Sequence, residues 1–271
     1  MESATLHTMA RRYLMSRNEK LHAEQSAALR RAAGPGGTLT ERLDPRCEVV
    51  AALLNEVEKL DPEDLPPLDQ LVSALSTAAT TAQSMFTTGL GPADAEASAG
   101  ERALFRRSVK DWLRQDLVVE PLPYRRALGE DEALEWRRRI EARWGSPLDG
   151  MEWHPIIGPV PPDVLALDSD AVWEGPATEL AQAALRDMGV RRVVEIREFA
   201  VTGYVLDLEL FVPTNAGGPE GIWADDTMEW IAYASHEASV AFGGTLAERL
   251  RASWPDVADW TWVPYWEQPA R

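Results

Sequence analysis

The chain carries one cysteine, Cys47, in 271 residues, which excludes an internal disulfide and any zinc cage built on cysteine. Cys47 falls in a helical apolar pattern, where a free thiol behaves as a small buried hydrophobe. No apolar run approaches the roughly 18 residues that span a bilayer. The opening MESATLHTMARRYLMSRNEK lacks the apolar core and small-residue cleavage pattern of a secretory signal, so the expectation is a cytoplasmic protein. Phosphate-binding loops, dinucleotide glycine fingerprints, nucleophile elbows and HExxH helices are also missing. The four histidines, His7, His22, His154 and His236, include no pair at close helical spacing. On motifs alone, neither a metal nor a cofactor is expected.

What the chain has is hydrophobic content and acid. Hydrophobic residues make up 45%, enough for a normal core, and the net charge is −17. The imbalance is local: residues 1–150 hold 24 acidic and 20 basic side chains, residues 151–271 hold 20 and 7. A field of that sign repels nucleic acid and anionic lipid and favours a basic protein or ligand, although acidity also serves plain solubility.

Periodicity predicts helices over about 3–33, from Pro45 through Leu60, and from Leu68 through Phe86, joined by Gly and Pro turns. Asp44 before Pro45 is a helix start, with a carboxylate for the free amides and proline at the first helical position. GLGPADAEASAG, residues 89–100, reads as a mobile loop. Further helices are expected over about 101–115 and 130–144. Recurrent prolines from 147 to 176 read as an extended connection, and Ala177 to Met188 as a helix closed by Gly189.

Beyond it the period changes from 3.6 to 2. Tyr204, Leu206, Leu208, Leu210 and Val212 alternate as a half-buried strand, with shorter strands at 193–199, 228–234 and 239–242. Thr245 and Glu248 have capping-box spacing ahead of a last helix. The expected fold class is α+β: a helical domain over 1–145, a proline-rich connection over 146–176, and an antiparallel meander with flanking helices over 177–271.

Three constellations can carry chemistry. His236 and Glu237 fall in a turn between strands, where imidazole beside carboxylate suits proton transfer; a polar turn capped by histidine is the simpler alternative. Asp207 and Glu209 fall on one face of the long strand, and Asp207 could orient His236. Eight of the eleven tryptophans follow Met151, and those rings can wall a pocket, anchor an interface or fill a core. Trp223 and Trp230 with Asp225, Asp226 and Glu229 form a candidate contact patch, and Trp260 and Trp262 share one side of an extended segment.

EPLPYRR (120–126) and YASHEASVAFGG (233–244) resemble segments of uncharacterised bacterial proteins. The acidic C-terminal half is similar in general style to immunity proteins that neutralise cytotoxic enzymes. That resemblance implies a protein-interaction module for a basic partner and supplies no catalytic residue. The alternative is a small-molecule-binding protein or enzyme with His236 as acid/base in a tryptophan-lined pocket.

Overall fold

The computed structural model describes residues 1–33, 44–145, 159–198, 202–215 and 218–263. The expected turn at Gly34, the first part of the proline-rich connection with Trp153 and His154, and Trp266 lie outside them. The fold is α+β, in two compact units: Met1–Leu122 and Pro123–Arg271.

The first unit is helical. Its main elements are α1 (Ser3–Ala33), α2 (Pro45–Glu58), α3 (Leu68–Thr81) and α4 (Pro92–Trp112). Asp44 caps α2 as expected, its side chain accepting from the Arg46 amide. Leu6, Leu14, Leu53, Val57, Leu71, Leu75 and Phe105 form the core. Within it lie polar groups that must be paired because water cannot reach them: Arg11 meets Glu58 at 3.2 Å, and His7 Nε2 sits 3.1 Å from the Val57 carbonyl. Most of the segment expected to be a mobile loop, from Pro92 onward, is the first turns of α4. Gly91 caps that helix and Pro92 takes the first position, where its missing N–H costs nothing.

The second unit starts before the proline-rich stretch. It comprises β1 (Arg125–Ala127), α5 (Glu130–Trp144), β2 (Val164–Asp168), α6 (Asp170–Trp173), α7 (Ala177–Asp187), β3 (Arg192–Arg197), β4 (Tyr204–Asp207), β5 (Gly221–Ala224), β6 (Trp230–Ser235), β7 (Ser239–Gly244) and α8 (Thr245–Ser253). All pairings in the sheet are antiparallel, in the order β1-β4-β3-β5-β6-β7-β2. Residues 123–145 therefore belong with the sheet, because β1 pairs with β4 and α5 packs on β3 and its neighbours. The boundary falls at Leu122, not Gly145.

Helices cover both faces. On one, Leu185, Leu246, Leu250 and Trp254 of the α7–α8 side pack on Trp223, Trp230 and Phe242. On the other, Trp136, Ile140 and Trp144 of α5 pack on Val194, Ile222 and Ile231. Central strands are thus buried throughout, β5 and β6 over every residue. The long alternating strand expected over 204–212 stops at Asp207. Its carboxylate accepts from the Tyr124 amide at 2.7 Å and meets Arg192 at 3.3 Å, and the chain turns into a 3₁₀ segment at Leu208–Leu210. Gly244 holds φ 63°, and a Cβ there would stand 2.1 Å from the Glu229 carbonyl, so the β7–α8 junction requires glycine. Thr245 is the first residue of α8 rather than its cap.

Candidate functional site

Strand register defines one end of the sheet. β3 finishes at Arg197, opposite Gly221 where β5 starts, and Gly221 in turn faces Ala234 near the end of β6. Glu198, Glu220 and the β6–β7 turn therefore meet, although they are far apart in sequence. At the end of β2, Asp168 lies opposite Ser239, so β2 closes the same end.

Glu220 is the centre of this group. Its carboxylate is almost fully buried, 5% exposed, whereas the His236 side chain beside it is 65% exposed. Oε2 accepts a short hydrogen bond from the Tyr233 hydroxyl. Oε1 accepts from the His236 amide at 3.2 Å and lies 2.6 Å from His236 Nδ1. On the far side of the ring, Nε2 lies 3.3 Å from Glu237 Oε1. The imidazole is thus held between two carboxylates, one buried and one exposed. Burial raises the Tyr233 hydroxyl's pKa, and the neighbouring Glu220 charge raises it further, so the phenol stays a donor.

Glu198 completes the cluster. Its amide donates to the Glu220 carbonyl at 2.8 Å. One oxygen from each of Glu198 and Glu220 and one nitrogen of His236 lie within 4.8 Å of one another. Burial raises the Glu198 carboxyl, and repulsion from Glu220 adds to it. The turn is pinned from outside: Trp262 Nε1 donates to the Glu237 carbonyl at 3.0 Å, and Ser169 donates its amide to Ala238 at 2.9 Å.

Of the residues expected at a catalytic centre, His236 and Glu237 are adjacent, but Asp207 is elsewhere. Asp207 pairs in register with Arg192 at the start of β3, five residues and about 17 Å of strand from its His236 end. It holds β1 and β3 rather than orienting an imidazole. The expected contact patch also dissolves. Trp223 and Trp230 are fully buried, both edge-on to Phe211. Trp223 Nε1 donates to Glu195, which also holds Arg197 at 2.8 Å. Asp225, Asp226 and Glu229 belong to the turn between β5 and β6: Asp225 accepts from Thr227, and Asp226 pairs with Arg139 at 3.1 Å. Trp260 packs against Trp254, while Trp262 buttresses the His236 turn, so these two rings share no recognition surface.

Glu198 and Glu220 were missed in the sequence because only strand pairing brings them to His236, and Tyr233, three residues before His236, because its hydroxyl meets Glu220 only across the β5–β6 pairing. No helix among the described residues is long and apolar enough to cross a membrane. Fold and site together define a two-unit α+β protein whose sheet ends in a carboxylate–histidine cluster. No family model, curated protein or solved structure matches the chain.

Proposed function

We propose that the sheet unit is a protein-interaction module for a basic partner, working in the manner of an immunity protein that neutralises a cationic enzyme. The recognising surface is the sheet end around the β6–β7 turn. One observation carries the reading: carboxylates outnumber guanidinium groups there. Glu130, Asp131, Asp168, Glu198, Glu220 and Glu237 lie at this end, by strand register and by the start of α5 after β1. Of the guanidinium groups reaching it among the described residues, Arg126 pairs with Glu132 and Arg197 with Glu195, while Arg137 donates to the Arg197 carbonyl and keeps its charge. Net negative potential therefore extends into solvent, and it accelerates encounter with a positive surface.

The test uses a partner co-purified from the native host and association rates measured across a salt series. Glu237→Lys with Asp131→Lys is expected to lower the on-rate about tenfold at low salt, the difference closing as salt screens the field. Reversal of Asp225 and Asp226, at the opposite end of the sheet, serves as the control. An on-rate indifferent to salt and to the first pair would sink the proposal, and a loss confined to the control pair would move the surface.

A further inference from the structure

We propose that Glu198, Glu220 and His236 form a binding site for a divalent first-row transition-metal ion. The inference concerns the same sheet end as the partner reading and shares Glu198 and Glu220 with it, but it rests on how the three side chains are supported and not on the charge of the surface.

A bound ion of this class takes nitrogen and oxygen ligands at about 2.0–2.2 Å, so two ligands of one ion stand up to about 4.4 Å apart. The three donor atoms lie mutually within 4.8 Å, so side-chain rotation has to bring them to the roughly 3–3.6 Å that neighbouring ligands of one ion keep. His236 Nδ1 and Glu220 Oε1, at 2.6 Å, stand at hydrogen-bond distance, closer than two ligands of one ion. An ion entering between them takes the place of that hydrogen bond, its proton leaving to solvent, and the pair opens by a few tenths of an ångström.

The surroundings already suit the exchange. With Nδ1 free to ligate, the ring of neutral His236 carries its single proton on Nε2. Glu237 Oε1 lies 3.3 Å from Nε2, placed to accept the hydrogen bond that fixes this tautomer. Metal-bound histidines are held in this way, with a carboxylate on the nitrogen away from the ion. Tyr233 occupies Oε2 of Glu220 and leaves Oε1 directed at the histidine. Each ligand thus has a second group that sets its orientation or protonation, apart from Glu198, which is anchored by its backbone on Glu220.

The composition of the site selects the class of ion. An imidazole with two carboxylates suits zinc, manganese, iron, cobalt or nickel, whereas calcium and magnesium prefer oxygen alone. Three protein ligands leave at least one position for water. The ring is mostly exposed, so an ion has a path from solvent.

The experiment is calorimetric titration of the full chain, freed of any affinity tag and stripped with chelator, using Zn²⁺, Mn²⁺ and Ca²⁺ separately. We expect one Zn²⁺ or Mn²⁺ per chain. His236→Ala and Glu198→Gln are each expected to weaken it by about tenfold or more, and Glu237→Gln to weaken it less. Both ligand changes are at positions the fold leaves at least partly open, and circular dichroism of each variant checks that it remains folded. A second readout on the unaltered protein is Co²⁺ absorption in the visible range, whose intensity reports a low-coordinate nitrogen–oxygen site. The proposal is overturned by absence of stoichiometric Zn²⁺ or Mn²⁺ binding, by affinity unchanged in both ligand variants, or by Ca²⁺ binding as tightly as Zn²⁺.

Discussion

At the scale of single residues, the most consequential titratable group is His7, which has no part in the candidate site. It is 2% exposed within the helical core. Burial lowers its pKa from 6.5 to about 4; the Val57 carbonyl opposes the shift, nearby Arg11 adds to it and Asp61 opposes it. The folded unit therefore holds His7 neutral, while the unfolded chain takes a proton below about pH 6.5. Between those two values the unfolded state binds more protons, so stability falls as the pH drops and the loss is complete below the folded value. The full difference is on the order of 3 kcal/mol. Denaturant unfolding of the protein and of His7→Gln at pH 7, 5.5 and 4.5 measures it. The unaltered protein is expected to lose stability across this range more steeply than the variant, and equal slopes would mean that His7 is not the group responsible.

At the scale of elements, the turn carrying His236 has a built-in strain. Ala238 adopts φ 53° between β6 and β7, a left-handed conformation that costs an L-residue about 1–2 kcal/mol and glycine almost nothing. Glycine's greater freedom in the unfolded chain offsets part of this. Ala238→Gly is thus expected to stabilise the protein by about 0.5–1 kcal/mol, read as a higher urea midpoint with an unchanged slope. A lower midpoint would show that the methyl group packs more usefully than the strain costs.

The same turn marks where local pattern stops informing. Capping by Asp44, closure of α7 before Gly189 with φ 83°, and the helical stripes of α1 and α5 are visible because their causes are local. β5 is not: four residues buried on both faces have no alternation to read, and a run that short, half of it Gly and Ala, does not let its Ile and Trp mark a strand. Alternation at Tyr204 to Val212 misleads in the opposite sense, since the tie from Asp207 to Tyr124 and Arg192 ends the strand early. Of the site, His236 and Glu237 are legible as neighbours in a polar turn. Glu220, between Pro219 and Gly221, has nothing in its surroundings to mark it, because its importance comes from pairing β5 with β3 and β6. The tryptophans are legible as numerous and acid-flanked, but period-2 strands of a doubly covered sheet direct Trp223 and Trp230 inward.

At the scale of the whole molecule, the division at Leu122 has a mechanical reason that dictates what can be cut away. β1 supplies three residues of pairing to β4, and α5 supplies Ala133, Trp136, Ile140 and Trp144 to the sheet face formed by Val194, Ile196, Ile222 and Ile231. Without 123–145, β4 becomes an open edge and that whole apolar face meets water, which disfavours the compact state and invites association through the unpaired edge. A fragment beginning at Pro123 keeps both faces covered. We expect residues 123–271 to melt cooperatively and to leave the dye ANS dark, and residues 146–271 to bind ANS strongly and lack a sharp transition. The helical unit, residues 1–122, keeps its own core from Leu6 to Trp112 and is expected to fold separately, with the His7 pH dependence intact. If residues 146–271 melted as sharply as 123–271, α5 would be dispensable to the sheet and the boundary would belong after it.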